Sequence, residues 1–267
     1  MIPAVDTHAH VFDRTCRLIE PRRYTPDYEA PTAAYLAELD RAGVAHGVLV
    51  QPSFLGIDNS YLLAALARHP DRLRGIAVVA PEVTDAQLDA MAAAGVRGIR
   101  YNLFGLDPDF IARPQMRALT ARAAARDWLI ELHAPGPALP DVLDILVQDA
   151  NRIVVHHFGR PDAARPVDDP GFQRLMRLAP GDPVFIKLSA AYRLSGIDPA
   201  PYAAAFLDHF GPQHMLWGSD WPWTQHEAET DYRGCLGELD TWLAGDPESL
   251  AALDRRSRAL YGFATGS

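Results

Sequence analysis

The chain opens MIPAVDTHAHVFD (1–13), and the segment AVDTHAHVF (4–12) sets a pattern that recurs along its whole length. A short apolar run leads into two histidines, His8 and His10, spaced two apart. Residues two apart on an extended strand point to the same side, so both imidazoles reach into one space near the strand's end. Seven more runs repeat the design: AHGVLVQP (45–52), LRGIAVVAP (73–81), VRGIRYN (96–102), WLIELHAP (128–135), RIVVHHFG (152–159), VFIKLSA (184–190) and HMLWGSDWP (214–222). They are rich in β-branched residues and do not alternate strictly, which predicts strands buried on both faces of a parallel sheet.

Helical spacing fills the intervals, as in YLAELDRAG (35–43), YLLAALARH (61–69) and AQLDAMAAAG (86–95), with Gly43 and Gly95 where C-caps belong. Eight such units in 267 residues predict an α/β protein, a (β/α)8 TIM barrel formed as one domain over 1–267. An open doubly wound sheet is the alternative, and it lacks a GxGxxG turn after any early strand.

Composition narrows the function. Lys and Arg number 25 against 34 Asp and Glu, a net charge of −9, which argues against nucleic acid or an anionic membrane as partner. A local basic pocket for an acidic small molecule stays compatible with that total. The two cysteines, Cys16 and Cys235, are far apart and read as reduced. Neither a signal-like core nor a membrane-spanning run is visible, so a cytoplasmic protein, with a homo-oligomer open, is the expectation.

Nearly every predicted strand ends in a reactive or polar residue: His8 and His10, Gln51 and Ser53, Arg100 and Asn102, His133, His156 and His157, Lys187 and Ser189, Asp220. Strand three, ending AVVAP, is the exception. Barrel enzymes build their active sites at this edge. Imidazole and carboxylate are the ligands Zn²⁺ prefers, so His8, His10, His133 and Asp220 form a candidate set for one divalent metal ion. Asp220, in WGSDWP, also suits a general base taking a proton from water. Of the adjacent His156 and His157, an extended strand would send only one into the barrel mouth. Arg100 and Arg193 have the guanidinium fork that reads carboxylates. Lys187 reads equally as a structural lysine paired with a carboxylate.

Taken together, VDTHAHVF, RRYTP, VQPSFLGIDN, VRGIRYN, HHFGRPD, KLSAAYRLSG and WGSDWP resemble the amidohydrolase superfamily, in its branch around 2-pyrone-4,6-dicarboxylate lactonase. The resemblance runs in order from about residue 5 to residue 262 and implies roles for particular residues. It makes Asp220 the base and places His8, His10 and His157 around the scissile carbonyl. It puts Tyr24, Ser53, Arg100 and Arg193 on the substrate and its carboxylates.

Three departures stand out. FGLD (104–107) replaces a second arginine, which favours a substrate with one carboxylate over a planar dicarboxylate. DWPWTQ (220–225) puts Trp223 and Gln225 in place of a histidine and an asparagine, making Gln225 a candidate substrate contact. His133 stands where that lactonase, which works without metal, has a tyrosine and where other superfamily members have a metal-binding histidine.

The expectation is a hydrolase of a small carboxylated lactone or related cyclic ester, its carbonyl polarised by His8, His10 and His157 or by a bound Zn²⁺. A metal-dependent decarboxylase of the same superfamily is the first alternative. A non-catalytic barrel that binds small acids is the second.

Overall fold

The computed structural model describes residues 1–264. Its strands are β1 (Val5–Ala9), β2 (His46–Val50), β3 (Leu73–Ala77), β4 (Val96–Asn102), β5 (Leu129–His133), β6 (Ile153–Val155), β7 (Val184–Leu188) and β8 (Met215–Trp217). Neighbours in sequence are neighbours in the sheet, and every pair is parallel. The helices are α1 (Thr32–Ala42), α2 (Ser60–Arg68), α3 (Asp85–Ala93), α4 (Pro114–Ala124), α5 (Leu139–Asp149), α6 (Pro170–Leu175), α7 (Ala200–Phe210), α8 (Tyr232–Trp242) and α9 (Pro247–Tyr261). The expected barrel is therefore what forms, with a run for each strand. Gly43 ends α1 in the left-handed conformation as expected, whereas α3 ends one residue before Gly95, on Ala94.

The barrel closes where β1 meets the segment after β8. His10 N–H donates to Trp221 O (2.7 Å), and Asp220 N–H donates to His8 O (2.8 Å). A Cβ on Gly218 would lie 2.5 Å from His8 Cβ, so only glycine lets the two edges approach this closely. The bonds that close the barrel thus run through the residues singled out as chemically active.

The interior is layered by the two-residue period of the strands, which advances about 6.6 Å per step. The lowest layer is apolar: Val5, Val48, Ile76, Leu129, Val154, Phe185 and Leu216 pack together, joined by Leu260, Tyr261 and Phe263 from the end of α9 and beyond. Truncating one of them, as in Leu129→Ala, would cost about 2–5 kcal/mol. Two residues above Leu129 is Glu131, and two above that His133; above Phe185 come Lys187 and Ser189. The apolar base therefore gives way to a buried charged layer and then to the barrel mouth. A second and larger apolar cluster fills the space between barrel and helices, including Leu39, Leu66, Leu132, Leu143, Phe206 and Leu239.

Candidate active site

Asp220 lies at the mouth, 1% exposed. Its Oδ2 accepts from Arg193 Nε (2.7 Å) and from Tyr192 OH (2.6 Å). Its Oδ1 faces His8 Nε2 at 3.3 Å and His10 Nε2 at 3.5 Å. Burial by itself would raise this carboxyl, but the Arg193 guanidinium, with the imidazoles around it, holds it well below the usual carboxylate range. Asp220 is thus a fixed carboxylate with Oδ2 fully engaged and Oδ1 turned to the histidines.

His8 sits one layer below His10, because β1 carries them two residues apart. Its Nδ1 lies 3.3 Å from Lys187 Nζ, which also donates to Thr7 O (2.8 Å) and Glu131 Oε2 (2.9 Å). An ammonium has hydrogens to give and no lone pair, so His8 Nδ1 accepts and its Nε2 carries the hydrogen. Burial first, then Lys187, pushes the His8 imidazolium well below its ordinary range, leaving a neutral ring. His10 is arranged the opposite way. Its Nδ1 lies 2.6 Å from Val50 O and must donate to it, so its Nε2 presents a lone pair.

The adjacent His156 and His157 do not follow strand alternation. β6 ends at Val155, and His157 and Phe158 have φ of +51° and +57°, so the chain turns and both imidazoles point inward. His156 Nε2 donates to Glu131 Oε2 (2.6 Å) in the layer below, while His157 Nδ1 meets Ser189 Oγ (2.8 Å) at the mouth. Burial, then Lys187, takes His156 down to about 3. Glu131, paired with Lys187 and His156 and accepting from Tyr261 OH (2.6 Å), is held at about 2 despite its burial. Lys187 is thereby the structural, carboxylate-paired lysine that its sequence position allowed.

Above this layer opens a cavity of about 440 Å³. Asp220, His10, His133 and His157 line it, and so do Arg23, Arg100, Arg160 and Arg193. Tyr24, Ser53 and Gln225 are also in its walls. His8 is not among the lining residues; its Nε2 faces Asp220 Oδ1 at 3.3 Å, beneath the cavity. Arg193 gives its Nε to Asp220 and one Nη2 hydrogen to Thr224 O (3.0 Å). Arg100 likewise gives Nη1 to Gln51 O (2.9 Å) and Nη2 to His133 Nδ1 (3.2 Å), with Nε unpartnered among the described residues. Tyr24 OH is held by Glu227 Oε1 (3.1 Å).

A family model described as amidohydrolase matches residues 5–263. The chain belongs to the amidohydrolase family. The 4-sulfomuconolactone hydrolase of Rhizobium radiobacter is 37% identical to it, over 82% of this chain and 75% of its own. The 2-pyrone-4,6-dicarboxylate hydrolase of Comamonas testosteroni is 31% identical, over 82% and 76%. A Pseudomonas putida structure assigned as a 2-pyrone-4,6-dicarboxylic acid hydrolase superposes with a TM-score of 0.91 at 40% identity, covering 100% of both chains. A similarly assigned Acinetobacter baumannii structure, with citric acid bound, gives 0.92 at 36% identity over 98% of this chain and 100% of its own.

Family members that use a metal need lone pairs aimed at it, and hydrogen bonding tests whether this amidohydrolase supplies them. The ligand atoms of His8, His10 and Asp220 lie within 4.8 Å of one another; His133 is outside that group. His133 Nδ1 accepts from Arg100, so its buried Nε2 carries a hydrogen and has no partner among the described residues. His8 Nε2 also carries a hydrogen. Only His10 and Asp220 therefore offer lone pairs, which does not make the three-ligand catalytic zinc site with one open position. Lys187 and Arg193, in contact with two of these groups, add positive charge where a dication would sit. The four-residue zinc set does not fit, because its two outer imidazoles are pinned as donors.

Three side chains that line the cavity lie inside quoted motifs without having been singled out: Arg23 in RRYTP, Arg160 in HHFGRPD and Tyr192 in KLSAAYRLSG. The guanidinia of Arg23 and Arg160 both stand over the Phe104 ring, at 5.5 and 5.0 Å. Burial, then Arg193, lowers Arg160 to about 10, which leaves it charged at neutral pH. The signal for Arg160 was its place four residues after His156, in a turn that carries the mouth histidine.

Proposed function

We propose that this amidohydrolase, working as one domain, hydrolyses a small anionic lactone without a metal. The observation that carries the reading is the Asp220 carboxylate, fixed by Arg193 and Tyr192, at the floor of a cavity lined by arginines. The attacking water is received by Asp220 Oδ1, the carboxylate oxygen that Arg193 and Tyr192 leave unengaged. Asp220 takes the proton as the water oxygen attacks the lactone carbonyl. The oxyanion then forms against His133 Nε2–H, a donor in place before reaction, beside the His157 imidazole. Collapse breaks the ring C–O bond, and the proton on Asp220 goes to the departing oxygen.

Arg160 and Arg23, without hydrogen bonds to protein acceptors among the described residues, are the groups best placed to receive the substrate's anion; Arg100, Tyr24, Ser53 and Gln225 form the surrounding wall. They restore the positive charge that FGLD removes, so a second anionic group on the substrate is again compatible with the pocket. The relatives named as hydrolases of sulfomuconolactone and pyrone dicarboxylate act on compounds of this kind.

The test is a panel of these two lactones and simple lactone carboxylates, with ring opening followed by acid release. Turnover of at least one, abolished in Asp220→Asn, is expected. A wild type inert towards all of them, or release of CO₂ without ring opening, would overturn the reading.

A further inference from the structure

A second cavity, of about 540 Å³, opens beside the first and shares Arg23, Ser53, Arg100, Asn102 and Phe104 with it. The remainder of its lining has a different character. One wall is Val78, Val79, Ala80 and Pro81, the segment that follows β3. That is the one strand end without a reactive residue. Another wall is Leu103, Leu106 and Phe110, in and after the FGLD segment that replaces an arginine. The two departures from the pattern of the sequence therefore border one space.

The rim points the same way. Among the described residues the large apolar side chains left exposed are Ile2, Ile19, Ile57, Leu106 and Val167. Ile19, Ile57 and Leu106, exposed by 38%, 60% and 49%, all line this cavity. Exposed apolar side chains gathered on one concavity mark a binding surface, and a pocket of this size suits a small-molecule group. Its continuity with the reaction cavity, through Arg100 and Phe104, names the occupant.

We propose that the second cavity is an apolar annex to the active site, and that the substrate is an anionic lactone bearing an alkyl or aryl substituent that lies in it. The anion stays with Arg160, which lines only the reaction cavity, while the substituent passes Phe104 into the space lined by Val79 and Leu106. This rests on the lactonase reading for the identity of the head group, but the annex itself can be tested without turnover.

Binding of alkylsuccinates, from methyl to octyl, is measured by calorimetry on the full chain. Succinates stand in for the anionic head, and the alkyl group probes the annex. Affinity should rise about fourfold per added methylene over the first several carbons. Leu106→Asp and Ile57→Asp, both at exposed rim positions outside the reaction cavity, should flatten that rise and leave methylsuccinate binding unchanged. A chain-length dependence that is flat or falling in the wild type, or one that survives both substitutions, overturns the annex. A lactone carboxylate and its butyl and hexyl homologues are then compared as substrates. Turnover of the parent alone leaves the lactonase reading standing and removes the annex. A steep alkylsuccinate series with every lactone inert does the reverse.

Discussion

Lys187 Nζ lies 3.3 Å from His8 Nδ1, and this contact assigns the hydrogen of His8 to its other nitrogen, the one facing Asp220. Both side chains are fully buried, and Lys187 has Glu131 as its carboxylate. A charged pair beneath the site thus sets the state of a ring above it, and through that ring the base.

Removing the lysine separates this function from stability. Lys187→Met leaves Glu131 buried without its cation and should cost about 3–5 kcal/mol in denaturant unfolding. The double substitution Lys187→Met with Glu131→Gln should recover much of that. Its kcat should stay about 100-fold low, because nothing then fixes the His8 tautomer. Recovery of kcat along with stability would show that the pair is only structural.

Asp220→Asn removes the proton acceptor and keeps the shape. A fall in kcat of about 10²–10⁴-fold is expected, with KM changed far less. Steady-state kinetics checks the split; a loss confined to KM would move Asp220 from chemistry to binding.

Arg160 has no protein acceptor among the described residues, so its charge is free for the substrate. Arg160→Met should raise KM by about 10- to 100-fold, the value of one or two hydrogen bonds to a charged group, and leave kcat within a few-fold. An unchanged KM would place the anion elsewhere.

Metal analysis checks the reading of the imidazoles. The purified protein should hold no stoichiometric zinc, and prolonged chelation should leave activity intact. One equivalent of zinc per chain, lost together with activity, would mean that His8 and His133 turn lone pairs inward.

Stability should fall in mild acid. Burial keeps His8, His133, His156 and His157 below their ordinary range, so the unfolded chain binds protons near pH 6 that the folded chain refuses. Their contribution is complete above about pH 6.5 and is lost as pH drops, at up to about 1.4 kcal/mol per unit for each ring. Glu131 and Asp220, held low, add losses of the same sign below about pH 4.5. Thermal unfolding at pH 7.5 and 5.5 checks this; equal midpoints would mean that the rings titrate in the fold as they do in the unfolded chain.

The sequence by itself determined the barrel, since the spacing of apolar runs and helical stretches is a local property that survives without the fold. It also determined the ring of chemical groups, because strand ends in such a barrel converge wherever they occur in the chain. It could not order them by depth. His8 and His10 look equivalent in HAH, yet the two-residue rise puts one on Lys187 and the other in the cavity. HHF read as a strand would split its histidines, and a positive φ at His157 turns both inward. Arg193 looked free for substrate until the loop after β7 brought it to Asp220. Whether an imidazole is a donor or a ligand depends on what meets its far nitrogen, and Lys187 and Arg100 meet those nitrogens from other strands, which only the folded sheet brings alongside. The HAH of β1 thus announced the site, but only the tertiary structure decided which hydrogens its histidines hold.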